Sequence, residues 1–187
     1  YIKSINDALI KNSDLVIYVH TEMWKSGLKV NKNSIMLGHG VDYDAFANSK
    51  MSSYIPEEIS SIPHPIVGYF GDVSDKTSDI RLLEHVAEML PHVSLVLIGP
   101  ISTDVTNLKK FKNVYFLGQK PYSEIPHYGK VFDAAIMAWN QNEWIKNCNP
   151  VKTKEYLALG NPIVSIYYPE IEPYKKLIYV CHNYKEF

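Results

Sequence analysis

Lys152, Lys154 and Glu155 fall within one helical turn, directly after Asn149-Pro150. Proline suits the first turn of a helix, where its missing N–H is no loss, and the amides around it point out of the helix end. Such amides, together with the helix dipole, hold anions. Lys152 beside a diphosphate and Glu155 accepting from ribose hydroxyls is chemistry that this spacing permits. The same residues would also serve as the charged, solvated first turn of an ordinary surface helix. Ahead of them runs a long polar loop, residues 140–150, with Trp139 at its start and Trp144 inside it, where loops usually carry small residues.

Other residue patterns offer less. Gly71 follows an apolar run and opens a polar loop, residues 71–78, that leads into a helical pattern, so its amides are placed to hold an anion; no GxGxxG accompanies it. Asp42-Tyr43-Asp44 matches the DxD pattern with which some glycosyltransferases ligate a divalent cation. It lies inside a Gly-Val-Asp segment ending at Phe46, and chance matches of three residues are common. The seven histidines form no HxH or HxxxH pair, and Cys148 and Cys181 have no metal-binding spacing. The two thiols are either free or joined in one bridge.

The elements that must position these residues alternate regularly. Short apolar runs at 14–19 and 34–37 read as strands, with a helix at 21–28 between them. Residues 48–63 lose periodicity and are rich in Ser and Pro, as a linker would be. Further strands are expected at 65–70, 93–98, 114–117, 133–137, 162–166 and 178–181. Between them a helix at 79–90 carries Leu82, Leu83, Val86, Ala87 and Leu90 on one stripe, with Thr77 or Ser78 as its cap. Other helical segments are expected at 122–130 and 151–159, the latter closed by Gly160 in a left-handed conformation. Six strands alternating with helices imply an α/β fold with a doubly wound parallel sheet, because parallel neighbours need crossover connections. Ligands in such sheets bind beyond the carboxyl ends of the strands, which directs attention to the loops after residues 70, 98, 117 and 138.

The totals set bounds. A length of 187 residues, 46% hydrophobic and 21% charged, suits one globular domain plus part of another, or one large domain. Nineteen basic against 20 acidic residues leave a net charge of −1, which argues against a nucleic-acid partner. No apolar run is long enough to span a bilayer. The chain opens in mid-element and stops at Tyr184-Lys185-Glu186-Phe187 as if a helix were beginning, so it reads as a piece of a longer protein.

The run Asn149-Pro150-Val151-Lys152-Thr153-Lys154-Glu155-Tyr156-Leu157-Ala158-Leu159-Gly160-Asn161-Pro162-Ile163-Val164 resembles the donor-site motif of GT-B glycosyltransferases of the family 4 kind. In one branch of those two-Rossmann-domain enzymes it reads NPxKxxEYLAxGxPVV. Gly40-Val41-Asp42 with Phe46, Val67-Gly68-Tyr69-Phe70-Gly71, Val96-Leu97-Ile98-Gly99-Pro100 and Asn113-Val114-Tyr115-Phe116-Leu117-Gly118 fit in the same order, so the likeness covers nearly the whole chain. It implies a Rossmann-like, C-terminal donor-binding domain at 64–187, a linker at 48–63 and a remnant of the N-terminal, acceptor-side domain at 1–47.

The activity it implies is retaining transfer of a hexose from a UDP- or GDP-sugar, with no metal or other cofactor. The acceptor, a glycan or lipid-linked glycan of surface polysaccharide synthesis, would be reached through the N-terminal domain, which would also hold the catalytic residues. The setting would be cytoplasmic, at the inner face of the membrane, with peripheral attachment, and this chain alone would not turn over. By position in the resemblance, the donor would touch Gly71, Lys76, Gln119, Tyr122, Glu143, Asn149, Lys152 and Glu155, with Glu155 gripping ribose, Lys152 and the amides after Asn149 facing the diphosphate, and residues 118–122 lying along the base. Three departures stand out: Cys148 occupies the place of a second family Glu, for which Glu143 is the nearest substitute; Asp72 stands where an Arg is usual; and Lys76 only approximates the loop lysine. A non-catalytic sugar-nucleotide or protein-binding module and a sugar-nucleotide epimerase are the competing readings, the NPxKxxEYLAxG run favouring transferase over epimerase.

Overall fold

Apolar runs of three to five residues, punctuated by glycine and proline, cannot make helices and pair instead as strands. The computed structural model describes residues 2–187. Helices α1 (Ile2–Asn12), α2 (Thr21–Gly27), α3 (Tyr43–Asn48) and α4 (Glu57–Ser60) and strands β1 (Val16–Tyr18) and β2 (Ser34–Met36) come first. Strands β3 (Ile66–Phe70), β4 (Ser94–Ile98), β5 (Val114–Gly118), β6 (Ala134–Met137), β7 (Ile163–Ile166) and β8 (Tyr179–Cys181) follow, with helices α5 (Ile80–Met89), α6 (Ile125–Gly129), α7 (Glu143–Lys146) and α8 (Lys152–Leu159) among them.

All six expected strands of the second part form one sheet in the order β5-β4-β3-β6-β7-β8, every pairing parallel. The chain lays down β3, β4 and β5 in one direction, then returns to place β6 on the other side of β3. The switch point therefore falls between β3 and β6. Alternate residues feed two cores: Phe70, Val96, Ile98, Ala135 and Met137 pack on one face with Tyr156 and Leu159 of α8. Tyr69, Leu95, Leu97 and Ile136 pack on the other with Leu82, Leu83 and Val86 of α5. A sheet covered on both faces has strands apolar throughout, and every residue of β4 is buried.

Helix ends are set by side chains. Asp79, rather than Thr77 or Ser78, caps α5 by accepting from the Leu82 amide at 3.1 Å; the two hydroxyls bond the Asp72 carbonyl instead. Asp42 caps α3 through the Ala45 amide, which gives the first carboxylate of the DxD pattern a structural role. Gly160 closes α8 with φ 63°, as its position after the apolar periodicity predicts.

The first part is built differently. Strands β1 and β2 form a separate parallel pair, α1 buries none of its residues, and Ile17 and Ile35 remain exposed. Between the two parts, residues 42–62 do more than connect. Phe46, Ile59 and Ile62 are buried in the core of the large sheet, with the Phe46 ring 6.5 Å from that of Phe70. Cys148 and Cys181 are free thiols.

Candidate functional site

Strand β3 ends at Gly71 and β4 at Gly99, and there the two loops cross backbone to backbone. The Gly71 amide donates to the Ile98 carbonyl at 2.8 Å, and a Cβ added to Gly99 would lie 2.0 Å from the Gly71 carbonyl oxygen. With φ of +140° and +141°, both positions are in conformations that only glycine adopts at little cost. The result is a floor of bare main chain at the carboxyl edge of the sheet, beside the switch point where ligands of open α/β sheets bind.

Helix α8 faces this floor. Its inner residues are fixed: the Tyr156 hydroxyl accepts from the Phe70 amide at 3.0 Å, and the Thr153 and Tyr168 hydroxyls meet at 2.6 Å. Those bonds aim Lys152 and Glu155 at the cleft. No side chain caps α8, nor α4 or α6, whereas Asp42, Asp79 and Asn142 cap α3, α5 and α7. The leading end of α8 therefore keeps its positive dipole for an anion.

Lys152 is half-buried. Its Nζ donates to the Tyr69 hydroxyl at 3.2 Å and stands 4.7 Å from the ring centres of both Tyr69 and Trp139. Glu155 is only 6% exposed, and one carboxylate oxygen accepts from the Tyr122 hydroxyl at 2.8 Å. Burial raises its pKa above the usual carboxylate value, against the opposing pull of the Tyr122 bond and the Lys152 charge. Burial and the neighbouring Glu155 push Tyr122 up to about 12. The Tyr122 ring leans on Phe46 at 5.8 Å, so a residue between the two parts supports the mouth of the site.

A cavity of about 230 Å³ opens here, lined by Gly71, Asp72, Gln119, Lys120, Tyr122 and Lys152 among others. Four hollows are larger. One, around His64, Lys130 and Asp133, lies at the amino ends of β3 and β6; two lie against α1 and the β1–β2 lobe; and the fourth lies beside the start of α5, around Asp79, Arg81 and Tyr184. Strand direction decides between them, since the smaller cavity alone has the carboxyl ends of β3 and β4, an uncapped helix and a buried carboxylate around it.

Of the residues singled out in the sequence, Gly71, Gln119, Tyr122 and Lys152 share the cavity, and Glu155 joins them through Tyr122. Asn149 lies just outside. Its Nδ2 donates to the Val19 carbonyl at 2.7 Å and its Oδ1 accepts from Lys154 at 3.3 Å, tying the β1–β2 lobe to α8. Lys76 stands over the Trp144 ring at 5.4 Å, away from the cavity wall. Glu143 is 84% exposed and paired with Lys146 at 2.5 Å, so the structure does not bring it to the cavity. Sequence reasoning noted Trp139 without giving it a role and missed Tyr69, the two rings that hold Lys152; it also missed Lys120, which lines the cavity while paired to Glu58 at 2.6 Å. An aromatic next to the last residue of β3 and another following β6 were the available signal, because both flank the switch point.

No protein-family model matches the sequence. The chain is 26% identical over 185 residues to TuaH of Bacillus subtilis (strain 168), provisionally assigned as a teichuronic acid biosynthesis glycosyltransferase; the match covers 94% of this chain and 46% of TuaH. Anabaena HepE, solved with UDP and glucose, superposes with a TM-score of 0.68 at 16% identity over 91% of this chain and 49% of its own. The α,α-trehalose 6-phosphate synthase of Burkholderia multivorans superposes with a TM-score of 0.72 at 11% identity over 98% of this chain and 51% of its own. The chain thus spans about half the length of the proteins it matches, and it shares the fold of that half.

Proposed function

We propose that this chain is the nucleotide-sugar-binding, C-terminal half of a two-domain, retaining glycosyltransferase of the family 4 kind, using a UDP-sugar to build a cell-surface polysaccharide. The observation that carries the reading is the pairing of Glu155 and Lys152 one turn apart on an uncapped helix at the switch point of the sheet. TuaH's assignment to teichuronic acid synthesis and HepE's complex with UDP and glucose support the same class of donor and product.

In this reading the ribose hydroxyls take over the carboxylate oxygen that Tyr122 now holds. The diphosphate lies across the Gly71–Gly99 floor against the amides opening α8, with Lys152 beside it. Charge that develops on the departing diphosphate as the glycosidic bond breaks is met by groups already in place, which lowers the barrier without reorganisation. No metal ion is required by this arrangement. The base lies along residues 118–122, and the transferred hexose lies beyond Lys152. Groups that position the acceptor, a glycan or glycolipid at the inner face of the membrane, belong to the partner domain, so this half binds donor without turning it over. Among the described residues no helix is long and apolar enough to cross a membrane.

Calorimetric titration with UDP and GDP, with and without magnesium, tests the site directly. The expected result is metal-independent binding of UDP that Glu155→Ala weakens at least tenfold, about 1.4 kcal/mol. Absence of binding, both for this chain and for the complete polypeptide that contains it, would overturn the assignment. Sugar transfer by the complete polypeptide then separates a transferase from a module that only binds.

A further inference from the structure

Followed outward from Glu155, a series of packed side chains leads past the cavity wall, through the buried Trp139, to Lys76. Lys152 is one turn earlier on α8, its Nζ 4.7 Å from the Trp139 ring centre. The Trp139 and Trp144 ring centres are 6.0 Å apart, and Lys76 Nζ stands 5.4 Å over the Trp144 ring. With ribose at Glu155 and the diphosphate at Lys152, whatever hangs on the outer phosphate is directed toward Trp144 and Lys76.

That outer end is cationic. None of the ion pairs among the described residues includes Lys76 or Lys152. Carboxylates on the adjoining loops are turned elsewhere: Glu143 to Lys146 at 2.5 Å, Asp72 to the Ser102 hydroxyl at 3.4 Å, and Asp75 to the Thr103 hydroxyl. Cys148, half-buried and uncharged at neutral pH, feels the charge of both lysines, which oppose the upward push of burial on its thiol. A neutral hexose gives the second lysine nothing to neutralise, because Lys152 and the α8 amides already answer the diphosphate. A carboxylate on the sugar would.

We infer that Lys76 recognises an anionic substituent on the transferred sugar, so that the donor is a nucleotide-linked uronic acid. The inference rests on the donor-site reading above. Lys76 acts as a specificity-determining residue at the sugar end, and Trp144, half-buried under it, supplies an apolar wall for the ring. An attraction between charges at this half-open end is screened by salt, so the discrimination it gives narrows as ionic strength rises.

The experiment is titration of the protein with UDP, UDP-glucose, UDP-galactose, UDP-glucuronate and UDP-galacturonate. At least one uronate is expected to bind about tenfold or more tightly than its neutral parent, a ratio that shrinks in about 0.5 M salt as the charges are screened. Lys76→Gln, a change at an exposed loop position, is expected to abolish that ratio while leaving UDP itself within about twofold. Equal binding of acidic and neutral sugars overturns the inference and leaves the donor site standing. So does a Lys76→Gln variant that loses UDP as much as the uronate, since Lys76 would then serve the diphosphate. Failure of UDP itself to bind sinks both readings together.

Discussion

The nucleoside end of the cleft and its phosphate end treat charge in opposite ways. Glu155 is buried, with its carboxylate already holding the Tyr122 hydroxyl at 2.8 Å. Lys152, one turn away, rests on two aromatic faces and makes no ion pair among the described residues. A ribose arriving at Glu155 exchanges one hydrogen bond for others, so the net gain is modest and the geometry does the selecting. A diphosphate arriving at Lys152 and the uncapped end of α8 meets an ammonium that only the field of Glu155 offsets, and that end should supply most of the affinity. One end is arranged to discriminate and the other to hold.

The largest effect should come from the floor that both ends share. Gly99→Ala forces a Cβ to within 2.0 Å of the Gly71 carbonyl, in a conformation alanine avoids. A loss of about 3 kcal/mol or more is expected in urea unfolding. Gly118→Ala is the control: its φ is also positive, +69°, but nothing lies within 4 Å of the new Cβ, and the cost should be about 1 kcal/mol. If Gly99→Ala proves as mild as the control, the crossing of the two loops does not constrain the site.

Next in size, Lys152→Met should weaken UDP by roughly 30-fold, about 2 kcal/mol, while uridine binding hardly changes. An equal loss for uridine and UDP would erase the distinction between the ends. A smaller effect follows from protonation. The folded pKa of Glu155 is raised by burial, so the carboxyl begins to gain its proton at a higher pH than the ordinary 4.5. Ribose hydroxyls donate to the ionised form, and affinity for UDP-glucose should therefore fall as the solution is acidified through that raised value. Stability runs the other way: the folded state holds the proton more tightly than the unfolded, so the burden of the buried charge is absent below about 4.5 and complete above the folded pKa. Glu155→Gln should flatten both profiles, and a persisting acid limb would assign it to another group.

The smallest change is Tyr122→Phe. It removes the group that competes with ribose for Glu155, so uridine and UDP should both bind about two- to fivefold more tightly, roughly 0.5–1 kcal/mol. Weaker binding would instead make the hydroxyl a contact to the ligand.

The sequence carried the sheet more fully than the site. Runs such as Val96-Leu97-Ile98 are short and closed by a glycine, which favours strand over helix, and all six strands of the large sheet stand where the runs do. Asp79 outcompeted Thr77 and Ser78 as a cap because the loop folds back to place both hydroxyls on the Asp72 carbonyl, a tertiary event that spacing cannot show. The apparent linker at 48–63 hid Ile59 and Ile62, two apolar residues too widely set among Ser and Pro to mark a buried face. Within the site, Lys152 and Glu155 were legible because they share a turn of one helix. The bond between Glu155 and Tyr122 joins residues 33 positions apart, and the aromatic seat of Lys152 is drawn from β3 and from the segment just after β6, which come together only when those two strands pair.

Trp139 and Trp144 lie 6.0 Å apart with a lysine over each ring, and the third tryptophan, Trp24, belongs to α2 in the other lobe. The protein thus carries its own optical reporter. An indole emits at a wavelength set by the field across its ring, so an anion that cancels the two ammonium charges must shift the glow of that pair. In a Trp24→Phe background the shift reads occupancy alone, and in the native chain Trp24 adds an independent signal from the lobe across the cleft.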